Sequence, residues 1–310
     1  MELEFSGAAN EVTGSCHILR VAGKTVVLDC GMYQGRRSEA NAKNRRLPLP
    51  VEAIDAIVVS HAHIDHTGRL PFLVKSGYRG PIFCTPATHD LSAIMLADSA
   101  NIQEKDAAFL ARHGREHAEP LYGAADATRT VGQMICIPYG RDFEVVPGVR
   151  ASYHDAGHIL GSASVVLSCE DGSTRSRLVF SGDVGRWGLP IIRDPQPPAG
   201  GADVVLMEST YGNRDHPPAE DMRARLAEVV SETAARGGRV LIPAFAVGRT
   251  QEIVYDLHAL AREQRIPALP IYIDSPLASA ATSVFAMHPE LYDAGEDLVH
   301  AVEELFQFGL

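Results

Sequence analysis

His61-Ala62-His63-Ile64-Asp65-His66 is the stretch that decides the fold of this chain. It follows the apolar run 54–60, which is typical of a buried strand. His61 and His63 can turn toward one metal ion, and Asp65 and His66 can turn toward a second. Neutral imidazole and carboxylate are ligands that suit Zn²⁺. The alternative, a polar loop with solvated histidines, does not account for so many ligand types directly after a strand.

Four apolar runs of the chain, 54–60 among them, are followed by a residue that can bind or orient a metal ion. These residues are Asp29, His61, Asp183 and Glu208. If the strand ends lie side by side, their side chains converge on one site. Asp29 suits a carboxylate that orients a ligand, although taken alone it is more typical of a turn. His158 lies among small residues, which let the backbone approach whatever it binds.

Length and composition set the broad class. The 310 residues are enough for two domains, and 45% hydrophobic with 22% charged residues is typical of a soluble globular protein. No apolar run is long enough to span a membrane and no signal peptide precedes the first strand, so we expect a cytoplasmic location. The five cysteines are scattered without CxxC spacing, and most of them are expected to be buried.

Charge is unevenly distributed along the chain. The net charge of −11, taken alone, argues against a nucleic-acid partner, because phosphate binding usually requires a basic excess. Between Gly35 and Leu47, however, five basic residues stand against the single acid Glu39. They are Arg36, Arg37, Lys43, Arg45 and Arg46. This segment is either a local patch for an anionic substrate or a solvated loop, and composition does not decide between the two.

The second half of the chain has a βαβ pattern. Apolar runs at 239–243 and 271–273 predict two strands, and the segment 248–260 between them predicts a helix that begins at a glycine. Strand, helix and strand in this order favour a parallel sheet.

Three polar residues in this region are candidate substrate contacts. Arg249 and Thr250 open the predicted helix, where backbone N–H groups point outward, and Ser275 follows the next predicted strand. A helix start with a basic side chain is a plausible cradle for a phosphate group. Simple helix capping by the same residues is the alternative.

The motifs together resemble a known family. HxHxDH, then a lone histidine (His158) in a glycine-flanked loop, then Gly182-Asp183 after a strand resemble the metallo-β-lactamase fold superfamily. The resemblance implies an α/β (α+β) fold, a four-layer αββα sandwich with a two-metal site at one edge of its sheets. The segments 204–214, 238–252 and 271–278 are similar to the β-CASP nucleases of this superfamily. The bacterial and archaeal relatives of the cleavage-and-polyadenylation endonuclease look most similar.

The resemblance also implies a role for each candidate residue. Two zinc ions would be held by His61, His63 and His158 on one side, Asp65 and His66 on the other, and Asp183 as the bridge. The catalytic set would be Asp65, Asp183, Glu208 and Asp29. In that set Asp29 supports the ligands, and Glu208 orients a histidine that acts as general acid.

The implied activity is hydrolysis of RNA phosphodiester bonds by a two-metal mechanism that leaves 5′-phosphate and 3′-hydroxyl ends. Single-stranded RNA is the expected partner, and DNA is less favoured. Two alternatives remain open: a two-metal hydrolase acting on a thioester, lactone or lactam, and a non-catalytic scaffold. The segment from Glu208 onward argues against the first, because a small-ester hydrolase has no use for it.

The chain departs from the family pattern near its end. Family members carry two further histidines after the inserted β-CASP domain, and no matching segment follows Pro276. His288 and His300 lie in surroundings that do not match. We therefore expect an N-terminal fragment with a metallo-β-lactamase domain at 1–213 and an incomplete β-CASP domain at 214–310. An incomplete domain exposes apolar surface, which favours association into a homo-oligomer.

Overall fold

The computed structural model describes residues 1–113, 119–215 and 219–293, so His300 lies outside the described residues. The chain divides into two compact units. The first comprises Met1–Ala156, Gly161–Val184 and Gln196–Glu208, and the second comprises Gly157–Leu160, Gly185–Pro195 and Ser209–Leu310. The predicted domain boundary between residues 213 and 214 stays a prediction.

The first unit contains a six-stranded sheet whose spatial order follows the chain order. Its strands are β1 (Glu2–Phe5), β2 (His17–Val21), β3 (Lys24–Leu28), β4 (Ala56–Val58), β5 (Ile82–Cys84) and β6 (Met134–Cys136). Antiparallel pairing joins β1 to β2 and β2 to β3, whereas β3 to β6 pair in parallel. The carboxyl ends of β3, β4 and β5 therefore lie at one edge of the sheet.

A second sheet of five strands completes this unit. Its strands are β7 (Phe143–Val146), β8 (Val149–Asp155), β9 (Ala163–Asp171), β10 (Thr174–Phe180) and β11 (Val204–Leu206). Neighbours from β7 to β10 pair antiparallel, and β11 pairs parallel with β10. The loops after β8 and β10 thus carry the histidine and aspartate regions that the sequence singled out.

Alternation of side chains along the strands explains how the two sheets pack. Leu28 of β3 and Val165 of β9 are fully buried in one apolar core that the sheets share. Val27, the residue before Leu28, points to the opposite face and belongs to a second core. Two sheets with a shared core are the signature of a sandwich. This mixed α/β architecture confirms the predicted fold class.

Helices pack against the other face of the first sheet. The helices of this unit are α1 (Arg37–Asn44), α2 (Ile64–Thr67), α3 (Leu70–Lys75), α4 (Pro86–Arg112) and α5 (Ala124–Val131), with a 3₁₀ turn at Val51–Ala53. Buried side chains of α3, α4 and α5 form the second core with Val27 and Ile57. Thr85 begins α4 by accepting a hydrogen bond from the Thr88 N–H at 3.2 Å, and Pro86 occupies the first turn.

The second unit is mainly helical where it is described. Its helices are α6 (Ala219–Ala235), α7 (Arg249–Arg262) and α8 (Pro276–Met287), followed by a 3₁₀ turn at Pro289–Leu291. Ala227 and Val230 of α6 pack against Leu257 and Leu260 of α7 and against Ile266, which gives a small core. Across the described residues of the chain, no helix combines the length and apolar character that crossing a membrane requires.

The predicted βαβ sheet of this unit is the main correction. The helix is present as α7, but the described residues at 239–243 and 271–273 form no strand. Leu241 is 90% exposed and Tyr272 is 86% exposed. A strand exists only where a neighbour accepts its backbone hydrogen bonds, and local sequence does not supply that neighbour. The two segments keep the composition of buried strands without the burial.

Candidate metal centre

The site begins where two parallel strands end side by side. Leu28, the last residue of β3, lies opposite Val58, the last residue of β4. The N–H of Asp29 then donates to the carbonyl of Val58 at 2.9 Å, which keeps the two chains together beyond the ladder. Both strands therefore deliver their next residues, Asp29 and the segment 60–66, to the same edge.

Asp29 is the buried anchor of this edge. Its side chain is fully inaccessible, and it accepts hydrogen bonds from the Ser60 N–H at 2.7 Å and the Ser60 hydroxyl at 2.9 Å. Ser15 donates a further hydroxyl bond at 3.1 Å, and Nδ1 of His66 lies 2.7 Å from Oδ2. The backbone of Asp29 has φ of +57°, a left-handed conformation that Asp tolerates better than most residues.

The ligand loop is held by backbone contacts on the side of Asp29. Ser15 donates its N–H to the carbonyl of Asp65 at 2.8 Å, and Cys30 donates to the carbonyl of His66 at 2.8 Å. Gly31 lies so close that a Cβ there would stand 1.5 Å from the carbonyl oxygen of Asp65. The loop therefore requires glycine at position 31, where any side chain would displace Asp65 and His66.

Nitrogen and oxygen donors converge above this loop. Nε2 of His61 lies 3.1 Å from Nδ1 of His63 and 3.8 Å from Oδ2 of Asp183. These three residues offer ligand atoms that all lie within 4.8 Å of one another. Nε2 of His66 lies 3.3 Å from the other oxygen of Asp183, Oδ1, and 3.9 Å from Oδ2 of Asp65. The structure thus brings His61, His63, Asp65, His66 and Asp183 together, and their role as zinc ligands stays a prediction.

The electrostatics of the cluster favour a bound cation. Burial lowers the pKa of His66, but the carboxylates of Asp29 and Asp183 outweigh burial and raise that pKa well above its ordinary value. Burial raises the pKa of the Asp65 carboxyl, which His66 counteracts and Asp183 reinforces. Three carboxylates around a few imidazoles leave negative charge in excess, so positive charge is stabilised there.

Asp183 and Glu208 are placed by the second sheet. Gly182 precedes Asp183 with φ of +56°, and a Cβ there would stand 2.7 Å from Cβ of Ser60. Oε1 of Glu208 accepts the N–H of Val184 at 3.1 Å, and the N–H of Glu208 donates to the Ser181 hydroxyl at 3.1 Å. Glu208 therefore supports the turn that carries Asp183.

His158 lies in Gly157–Leu160, a segment that groups with the second unit. The base of its loop is closed within the first unit, where Ala156 donates its N–H to the carbonyl of Ser162 at 3.0 Å. The hydroxyls of Thr85 and Thr88 donate to the carbonyl of Gly161 at 2.7 and 2.9 Å. The role of His158 as a zinc ligand stays a prediction.

The candidate substrate contacts in the second unit are engaged in local helix contacts. Arg249 donates to Oε2 of Glu252 at 2.8 Å, and the Thr250 hydroxyl donates to the carbonyl of Phe245 at 2.7 Å. The Ser275 hydroxyl accepts the N–H of Ala278 at 3.2 Å and so caps α8. Ser275 makes a capping contact, whereas Arg249 and Thr250 make other local contacts, and the role of all three residues in substrate binding stays a prediction.

Sequence reasoning missed two serines of the site. Ser60 bonds Asp29 and lies 3.0 Å from Nδ1 of His61, and Ser15 is a second hydroxyl partner of Asp29. Ser60 could have been found, because it directly precedes the HxHxDH motif. Ser15 carries no local signal, since only the pairing of β2 with β3 brings it to Asp29.

Known proteins share this pattern. Residues 24–244 match the family described as Beta-lactamase superfamily domain, and residues 250–308 match the Beta-Casp domain. The chain is 39% identical over 280 residues to Ribonuclease TTHA0252 of Thermus thermophilus, covering 90% of this chain and 59% of that protein. It is 34% identical over 288 residues to Transcription termination factor FttA of Methanosarcina mazei, covering 92% of this chain and 43% of that protein.

A further relative is Transcription termination factor FttA of Pyrococcus abyssi, which is 36% identical over 294 residues, with 92% of this chain and 43% of that protein covered. The chain therefore spans about half the length of the curated relatives it matches. The matches to both family models agree with the resemblance seen in the motifs and confirm it. The chain belongs to the beta-lactamase superfamily, in its β-CASP group.

Proposed function

We propose that the protein of which this chain is all or part is a zinc-dependent ribonuclease that hydrolyses RNA phosphodiester bonds by a two-metal mechanism. The printed names of the relatives, a ribonuclease and a transcription termination factor, support RNA as the substrate. Single-stranded RNA is the proposed form, and 5′-phosphate and 3′-hydroxyl ends are the proposed products. The predicted cytoplasmic location and homo-oligomer stay predictions.

One observation carries the two-metal part of the proposal. The two oxygens of Asp183 face different histidines, with Oδ2 toward Nε2 of His61 and Oδ1 toward Nε2 of His66. His63 stands beside the first of these histidines and Asp65 beside the second. A carboxylate shared between two such donor groups suits a pair of ions, and imidazole with carboxylate suits Zn²⁺. The donor set therefore fits the proposed metal.

Bound zinc ions would lower the pKa of a water molecule and offset charge on the phosphoryl oxygens. The protein supplies the orientation of the ligands. Asp29 accepts a hydrogen bond from Nδ1 of His66, which leaves Nε2 as the nitrogen that faces Asp183. Ser60 binds both Asp29 and Nδ1 of His61, so one buried carboxylate orients two histidines. His158 is proposed as the third histidine of the His61 and His63 group, on the resemblance alone.

Protonation of the leaving oxygen requires a general acid. The resemblance assigns this step to a histidine that Glu208 orients. Oε1 of Glu208 accepts the Val184 N–H one residue beyond Asp183, which supports a carboxylate close to the reacting group. Glu208 is thus proposed as a positioning residue of the reaction.

The proposal is tested with zinc analysis and an RNA cleavage assay. We expect the zinc-loaded protein to cleave a 5′-labelled single-stranded RNA, and Asp183→Asn to lose about 10³-fold in rate together with bound zinc. Asp171→Asn is the matched control, because Asp171 is a partly exposed carboxylate whose charge pairs with the chain amino group. Normal cleavage by Asp183→Asn would overturn the proposal. A wild type that hydrolyses a thioester but leaves RNA intact would support the alternative hydrolase.

A further inference from the structure

A large open groove of the first unit has no part in the chemistry described so far. It lies between α4 and the segment 32–45, which contains α1, and it has a volume of about 1310 Å³. Pockets for small ligands usually measure about 300–1,000 Å³. The groove therefore has the volume to hold several units of a polymer.

The lining of the groove combines cations with an apolar base. Arg36, Arg37 and Arg45 of the basic segment line it, and the side chains of Arg36 and Arg37 are 86% and 54% exposed. Met32 and Leu110 contribute apolar surface to the same lining. Single-stranded nucleic acids suit such a surface, because cationic side chains follow the phosphates while the bases contact apolar groups.

The contacts of Arg36 and Arg37 are of a kind that a phosphate can replace. Arg37 pairs with Asp106 at 2.7 Å, and the carboxylate is 57% exposed. Arg36 pairs with Glu39 at 3.9 Å, also at the surface. Exposed ion pairs contribute little to stability, so exchanging a carboxylate partner for a phosphodiester costs the fold little. Arginine also matches the geometry of phosphate oxygens.

One residue of the groove lining is hydrogen-bonded to the metal-ligand loop. Met32, which lines the groove, donates its N–H at 2.9 Å to the carbonyl of Ile64, the residue between His63 and Asp65. The next residue, Tyr33, exchanges two hydrogen bonds with the side chain of Asn44, at 2.8 and 2.9 Å. These contacts fasten α1 to the loop, so the basic rim is held in a fixed position relative to the metal centre.

We propose that this groove binds the backbone of single-stranded RNA that extends beyond the bond held at the metal centre. The inference rests on the proposed function, because that function supplies the polymer. Composition left two interpretations of the basic segment between Gly35 and Leu47, a patch for an anionic substrate or a solvated loop. The inference favours the patch. Arg36 and Arg37 are its main phosphate-binding residues, and Arg45, which also donates to the carbonyl of Glu119, lies beside them. Nonspecific readout is expected, because contacts to phosphates carry no direct sequence information.

The test is RNA binding by the full chain with charge reversal in the groove. A fluorescein-labelled single-stranded RNA of about 20 nucleotides is titrated by fluorescence polarisation in chelator, which prevents cleavage. Arg36→Glu/Arg37→Glu is expected to weaken binding about tenfold and to reduce the slope of log K against log salt by about 1.4, or about 0.7 per phosphate contact. Arg175→Glu, which alters an 83% exposed arginine on β10, is the matched control.

A second variant tests the same contact in the opposite direction. Asp106→Asn removes the carboxylate that competes for Arg37, so it is expected to tighten binding about twofold. Equal affinities and salt slopes for wild type, Arg36→Glu/Arg37→Glu and Arg175→Glu would overturn the inference. Tighter binding of duplex RNA than of the single strand would overturn it as well. If Arg36→Glu/Arg37→Glu weakens RNA binding but the wild type cleaves no RNA, the groove inference is supported and the proposed function is contradicted.

Discussion

Apolar runs that predict strands form a buried strand in the first unit and no strand in the second. In the first unit, the apolar run at 54–60 becomes β4, paired on both sides and buried. In the second unit, the apolar runs at 239–243 and 271–273 form no strand and leave Leu241 and Tyr272 almost fully exposed. The difference lies in the neighbours, because β4 has β3 and β5 beside it. Apolar composition predicts that a segment gains free energy from burial. Sheet formation also requires a neighbouring strand that pairs with its backbone N–H and C=O groups.

This comparison bears directly on the metal centre. The ligand loop is positioned by strand ends that pair in parallel, and the contacts of Asp29 with Ser60 and His66 depend on that pairing. The first unit should therefore be intolerant of small changes at its strand ends. The exposed segments of the second unit should tolerate larger ones.

The largest effect is expected at Gly31. Gly31→Ala would force a Cβ to within 1.5 Å of the Asp65 carbonyl, so the ligand loop must move. We expect a loss of about 3 kcal/mol or more in the free energy of unfolding, measured by urea titration, together with loss of bound zinc.

Gly201→Ala is the control for this prediction, because nothing lies within 4 Å of a Cβ at that position. It should retain wild-type stability and zinc content. Wild-type behaviour of Gly31→Ala would show that the loop is not held against this backbone, and the account of the site would then fail.

A matched pair of leucines measures the contrast between the units. Leu178 is fully buried in the core between the sheets, whereas Leu241 is 90% exposed. Leu178→Ala is expected to lower the free energy of unfolding by about 2–5 kcal/mol, because it leaves a cavity. Leu241→Ala is expected to change it by less than about 0.5 kcal/mol. Equal losses in denaturant titrations of both variants would contradict the contrast and would mean that Leu241 is packed in solution.

The smallest effect concerns self-association. Leu241, Phe245 and Tyr272 expose large apolar side chains in the second unit, and exposed apolar patches favour association. Leu241→Lys/Tyr272→Lys is expected to raise the concentration at which the chain associates, about threefold or more in sedimentation velocity.

Phe5→Lys provides the comparison for this measurement, since Phe5 is an exposed aromatic residue of the first unit. It should leave the association unchanged. A double lysine variant that associates like the wild type would show that Leu241 and Tyr272 take no part in self-association.

Much of the fold was predictable because the first unit follows local rules. The apolar run before His61 contains strand β4, and the long helix α4 begins with two local signals of a helix start, the Thr85 cap and Pro86 in the first turn. The sheet of the second unit was wrongly predicted from equally good local signals. The cysteines followed their apolar surroundings, except that Cys136 is exposed on β6 at the sheet edge.

The sequence alone determined which side chains can bind a metal ion. It also determined that these side chains follow apolar strands. HxHxDH and Gly182-Asp183 carry that information because ligand chemistry belongs to single residues and strand propensity to short runs. Only the tertiary structure decided which residues surround the ligands. Ser15 reaches Asp29, Gly31 meets Asp65, and α1 lies across a groove from α4, because sheet pairing and packing join segments far apart in the chain. Such contacts depend on neighbours that no local run of residues specifies.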